Sequence, residues 1–90
     1  MIRLESTFED EVYAFARVAG DDAIIVVLNF GAEARFARIQ VPIERVFGSQ
    51  KTVLAQDVFD GQQIELSVER GQQIVAALEP RAYKVFVVEK

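Results

Sequence analysis

The sequence predicts an all-β fold, an antiparallel β-sandwich of about 7–8 short strands of Greek-key type. Three observations predict it. Turn signals recur at short intervals, at "AGDD" (19–22), "GAEA" (31–34), "GSQK" (48–51), "DG" (60–61), "ERG" (69–71) and "EPR" (79–81). Between them lie runs of roughly 5–8 residues rich in Val, Ile and Phe, too short for stable helices and suited to pleated strands. Helical periodicity is weak throughout. At 90 residues the chain makes a single domain, 1–90, with one core.

The first element, "EVYAFARVAGDDAIIVVLNF" (11–30), reads as two strands around a polar turn. Its second strand is apolar on both faces: Ala23, Ile25 and Val27 point one way, Ile24, Val26, Leu28 and Phe30 the other. A strand that is dry on both sides needs cover on both sides. In the first strand Tyr13, Phe15 and Arg17 share a face, and they fill either the core or a partner's surface; alternation does not say which. Next, "RFARIQV" sets Ala37, Ile39 and Val41 against Phe36, Arg38 and Gln40, one dry face and one wet. "PIERVFG" (42–48) is too short to stand alone as a helix and reads as a loop or a single turn.

"QQIELSV" alternates cleanly, with Ile64, Leu66 and Val68 opposite Gln63, Glu65 and Ser67. "AYKVFVVE" at the end is again apolar on nearly both sides. These patterns predict a wet sheet holding the two alternating strands and a dry sheet holding the two apolar ones. The tetrad "GQQI" occurs at Gly61 and again at Gly71, which reads as two successive strands each launched by a glycine turn.

Composition narrows the chemistry. The chain has no Cys and no His, so a thiol nucleophile, a Ser-His-Asp triad and thiolate or imidazole metal ligands are all excluded. It has no Trp, the widest stacking face. Net charge is −4 and the 10 basic residues are scattered, which argues against nucleic acid as a partner. No apolar run approaches the roughly 18–20 residues that span a bilayer, and no signal-peptide pattern opens the chain. No membrane partner is expected, and localisation stays unassigned.

Carboxylates are the remaining catalytic candidates. Asp21, Asp22, Asp60, Glu69 and Glu79 fall in turns, and Glu65 on a wet face, where water holds a carboxyl near its ordinary pKa. Asp57 and Asp60 in "DVFDG" read as turn chemistry, with Asp bonding its own backbone and Gly supplying positive φ, ahead of a calcium corner. Arg17 reads as a strand-end residue with its stem on the sheet and its head in water. No catalytic residue, cofactor site or metal site is assigned, and the chain alone is not expected to be an enzyme.

Taken in order, three stretches resemble the C-terminal β-sandwich domain of the α-amylase superfamily, glycoside hydrolases with a (β/α)8 barrel. They are "VYAFARVAGDDAIIVVLNF", similar to that domain's opening hairpin; "LAQDVFDG" (54–61), similar to its acidic, Gly-ended turn; and "IVAALEPRAYKVFVV" (74–88), similar to its closing strand pair. "VPIERVFGSQK" (41–51) departs from the pattern, and Arg81 stands where a small residue or Pro is common. "IRLESTFED" fits the approach from the barrel's last helix.

The resemblance implies a non-catalytic accessory domain of an enzyme acting on α-glucans, with the catalytic residues on the barrel. The implied partner is the catalytic (β/α)8 barrel of the same parent chain, with α-glucan as a second candidate ligand. The expected interface residues are Tyr13, Phe15, Arg17, Ile25, Val27 and Asn29. Two other functions compete. A starch-binding module would use Tyr13, Tyr83, Phe8 and Phe36 as stacking candidates; an immunoglobulin-like interaction domain would make the likeness a coincidence of β patterning. In either case a dry outer sheet favours self-association of the isolated domain.

Overall fold

The computed structural model describes residues 1–19, 22–48, 51–69 and 71–89. The turns predicted at 19–22, 48–51 and 69–71 each include residues outside this set, Asp21 among them. Eight antiparallel strands form two sheets: β1 (Ile2–Leu4), β2 (Val12–Ala19), β3 (Asp22–Asn29), β4 (Arg35–Gln40), β5 (Thr52–Asp57), β6 (Gln63–Ser67), β7 (Gln73–Leu78) and β8 (Tyr83–Glu89), with one short helix, α1 (Ile43–Phe47), between β4 and β5. The large sheet runs β1-β2-β3-β8-β5-β6 and the small sheet pairs β4 with β7.

Two hairpins, β2–β3 and β5–β6, are local in sequence, and β8 lies between them. β6 turns the corner into β7 through the Ser67–Gly71 bridge. The last four strands thus lie in the spatial order β8-β5-β6-β7, which is the Greek-key arrangement expected. The "GQQI" repeats do launch successive strands, β6 and β7.

Alternation fixes what goes inside. Val12, Ala14 and Ala16 of β2, Ile25 and Val27 of β3, Val53 and Ala55 of β5, Leu66 of β6, and Phe86 and Val88 of β8 are buried. They form one core with Ala37 and Ile39 of β4 and Ile74, Ala76 and Leu78 of β7. α1 closes the connection between sheets by adding Ile43, Val46 and Phe47 to that core. Pro42 gives α1 no side-chain cap, and the Ile43 N–H donates instead to Gln72 Oε1 at 2.7 Å. A glutamine from the approach to β7 therefore holds this helix in place.

One expectation is corrected. The wet strand "QQIELSV" does not join the wet strand "RFARIQV"; it is β6, an edge of the large sheet that also holds the dry strands β3 and β8. Periodicity reports which faces of a strand are wet, and an edge strand of a dry sheet is wet because water reaches its flank. The opening segment supplies β1, which extends the large sheet by pairing Ile2, Arg3 and Leu4 with Ala16, Phe15 and Ala14.

Candidate functional site: the outer face of the large sheet

Because side chains alternate, the residues between the buried ones on β2, β3 and β8 face away from the small sheet. The register aligns them in rows. Tyr13, Leu28 and Tyr83 form one row; Phe15, Val26 and Val85 the next; Arg17, Ile24 and Val87 the third. Leu54 of β5 extends the patch towards the other edge, opposite Glu89 and Glu65. The exposed members include Tyr83 at 55%, Leu54 at 41%, and Ile24 and Val87 at 38% each. Together these side chains expose on the order of 500 Å² of mainly apolar surface, at the upper end of what a soluble monomer shows in one place.

The face is structured. Tyr13 and Phe15 pack ring to ring with centroids 5.7 Å apart, and the Arg3 guanidinium stands 4.9 Å over the Tyr13 ring. At the same end Phe59 meets Tyr83 edge to face at 5.6 Å. The rim carries charges of both signs: Arg3 and Arg17 on β1 and β2, Asp22 on β3, Glu89 on β8, Glu65 on β6 and Asp60 in the turn after β5.

Of the six residues expected at an interface, the structure brings together three. Tyr13, Phe15 and Arg17 face outward; Ile25 and Val27 have no exposure and Asn29 has 2%. The latter three belong to the core side, because Ile25 sits opposite Phe86 and Val27 opposite Lys84 across the inward rows of β3 and β8. Their neighbours Ile24, Val26 and Leu28 take the outward positions instead. Both faces of β3 are apolar, so only the register with β2 identifies the outer one.

Asn29 has a different task. Its Oδ1 accepts the Gly31 N–H at 2.9 Å, and its Nδ2 donates to the carbonyls of Glu33 (3.0 Å) and Glu79 (3.1 Å). It ties the exit of β3 to the exit of β7. A Cβ at Gly31 would lie 2.9 Å from Glu11 Cδ and 3.1 Å from Asn29 Oδ1, so any larger residue there must push these side-chain ends aside.

The acidic turn behaves as turn chemistry. Asp57 Oδ1 accepts the Phe59 N–H, Asp60 Oδ1 accepts the Gln62 N–H, and Gly61 has φ 76°. The signal the sequence did not give is Lys84, whose Nζ lies 2.9 Å from the buried Asp57 Oδ2. Burial pushes the Asp57 pKa up, but the Lys84 hydrogen bond and charge and the Phe59 and Asp60 N–H groups outweigh it and hold the pKa below the ordinary value. A retaining or inverting glycosidase needs a carboxyl kept protonated in a dry pocket. Asp57 is buried but held ionised by a lysine.

Among the described residues no group of three or more His, Cys, Asp or Glu is placed to hold a metal, and no helix is long and apolar enough to cross a membrane. The four stacking candidates are split over three places. Tyr13 and Tyr83 lie on the outer face, Phe8 lies under the Arg35 guanidinium at 4.6 Å, and Phe36 stands 76% exposed on the small sheet.

The described residues form an eight-stranded β-sandwich with one broad, largely apolar outer face. Residues 7–86 match the family described as Neopullulanase-like, C-terminal domain, and the chain belongs to that family. Comparison with curated proteins gives no match.

Proposed function

We propose that this domain is a non-catalytic accessory unit of an α-amylase-type enzyme acting on α-glucans, and that it packs the outer face of its large sheet against the catalytic (β/α)8 barrel of the same parent chain. The observation that carries this reading is the three-row apolar face on β2, β3 and β8, placed on the strands at the centre of the sheet. Edge strands often carry stray apolar residues, but a central strand that is apolar outward is selected for cover. Family membership supplies the catalytic neighbour. The only buried carboxylate among the described residues is neutralised by Lys84, which supports a non-catalytic role.

Hydrogen exchange on the parent enzyme tests the docking. Amides of the catalytic domain that face this sheet are expected to exchange faster when Val26→Asp and Val85→Asp are introduced, and the parent's Tm is expected to fall. Unchanged exchange and Tm would overturn it. Release of reducing sugar from maltooligosaccharide by the 90-residue chain alone would overturn the non-catalytic assignment, and saturable binding of soluble starch would move it towards a carbohydrate-binding module.

A further inference from the structure

The small sheet leaves one side of β7 open. The Val41 N–H donates to the Gln72 carbonyl, and this sets the phase of the β4–β7 ladder. Ile39 with Ile74, Ala37 with Ala76 and Arg35 with Leu78 are then the pairs that exchange hydrogen bonds. The backbone groups of Gln73, Val75 and Ala77 point the other way, out of the side of the sheet. The matching groups on β4 are covered: the Arg38 carbonyl accepts the Thr7 N–H, the Arg38 N–H donates to Thr7 Oγ1, and the Gln40 N–H donates to the Glu5 carbonyl. Beside β7 the cover stops at Gly71, which exchanges both its hydrogen bonds with Ser67. Among the described residues no backbone bond reaches Gln73, Val75 or Ala77 from that side.

Folded proteins guard such edges with charge, proline, a bulge or short length. In the large sheet the edge strand β6 carries Glu65, and β1 is three residues long and carries Arg3. The stretch "GQQIVAAL" (71–78) has neither charge nor proline, and Val75 within it is 57% exposed. An unguarded edge of this kind is a template for one more strand.

We propose that this strand is β7 of a second copy, antiparallel to the first about a two-fold axis through Val75. The open stretch, 73–77, has Val75 at its centre and so matches itself. Gln73 lies opposite Ala77 of the second copy, Val75 opposite Val75, and Ala77 opposite Gln73. These are the residues whose backbone groups point outward, so each pair exchanges two hydrogen bonds. The two small sheets become one, in the order β4-β7-β7-β4, with the branched Val75 side chains as neighbours. Arg38 is level with Val75 on β4 and stands three strand spacings, about 14 Å, from its counterpart. The flanks "ER" (69–70) and "EPR" (79–81) each hold one acid and one base, so neither repels the other by net charge. This edge belongs to the layer opposite the apolar outer face, so the pairing goes beyond the accessory-domain reading and neither requires the other. A strand-edge contact buries less than the roughly 1,200 Å² of a standard interface, and a Kd of about 0.1–1 mM is expected.

Amide hydrogen exchange of the chain, followed by NMR at about 0.05 and 2 mM, tests the pairing together with sedimentation equilibrium. In the dilute sample the Gln73, Val75 and Ala77 amides are expected to exchange fast and those of Ile74, Ala76 and Leu78 slowly. In the concentrated sample the first three are expected to slow about threefold or more, while the mass rises from 10.1 kDa towards twice that value. Val75→Lys sets two cations together at the axis, and Val75→Pro removes an N–H that β4 does not use. Both are expected to abolish the concentration dependence while Ile74 and Ala76 stay protected, which reports an intact fold. Val75→Lys keeps the backbone N–H and decides the matter alone if the proline disturbs the strand. A chain monomeric at 2 mM overturns the proposal, as does growth past the dimer. So does a dimer that survives Val75→Lys, or one in which the three amides exchange as they do in the monomer, since its contact then lies elsewhere.

Discussion

Ile25 and Val26 are consecutive residues of β3 that face opposite sides of the large sheet. Ile25 lies opposite Phe86 with no exposure, whereas Val26 lies between Phe15 and Val85 on the outer face. Truncation of the two residues should therefore differ sharply. Ile25→Ala is expected to destabilise the isolated chain by about 2–5 kcal/mol, and Val26→Ala by less than about 1 kcal/mol. Urea unfolding of both variants checks this, and equal losses would contradict the assignment of faces.

Asn29→Ala removes one acceptor and two donors from a buried position and leaves the Gly31 N–H and the Glu33 and Glu79 carbonyls without that partner. A loss of about 2–4 kcal/mol is expected, with Tm falling by roughly 4–8 °C for each kcal/mol in a domain of this size. Asn29→Asp keeps the acceptor but turns a carboxylate towards two carbonyls, so it is expected to be no better than Ala. Calorimetry of the two variants decides it.

The Asp57–Lys84 pair predicts an acid dependence with a definite sign. The folded pKa of Asp57 lies below its ordinary value, so the unfolded chain takes up this proton first as pH falls. The stabilisation is complete above the unfolded value near pH ~4 and is lost as pH drops through the folded value. Asp57→Asn is expected to cost about 1–3 kcal/mol near pH ~7, and its stability curve should converge with that of the unaltered chain in acid. A gap that stays constant with pH would refute the linkage.

Gly31→Ala places a methyl group against the Glu11 carboxyl, which is held 2.9 Å from Arg35 Nε. The variant is expected to melt below the unaltered chain. Adding Glu11→Ala removes the obstruction, so the double variant should melt higher than the sum of the two single losses predicts. Strict additivity would show that Glu11 is not the obstacle.

Strands are legible in this sequence, and sheets less so. Residues with one wet face, such as Phe36, Arg38 and Gln40 opposite Ala37, Ile39 and Val41, declare their orientation through a period of two. β3 cannot, because Ile24, Val26 and Leu28 are as apolar as Ala23, Ile25 and Val27. Its outward side is decided by register with its neighbours β2 and β8, which is why pattern alone puts Ile25, Val27 and Asn29 on the wrong face. Sheet membership of β6 is hidden for a related reason, since an edge strand carries the same pattern in either layer. The Asp57–Lys84 pair joins residues 27 positions apart, and its only local trace is an aspartate in an otherwise ordinary turn.

The position of β8 has a consequence for how the domain is made. The two hairpins of the large sheet share no ladder with each other; both pair with a strand that emerges from the ribosome after them. Until residues 83–89 arrive, the hairpins remain separate pieces with open hydrogen-bonding flanks. The domain is therefore completed by its last strand, after every other strand of both sheets has been made.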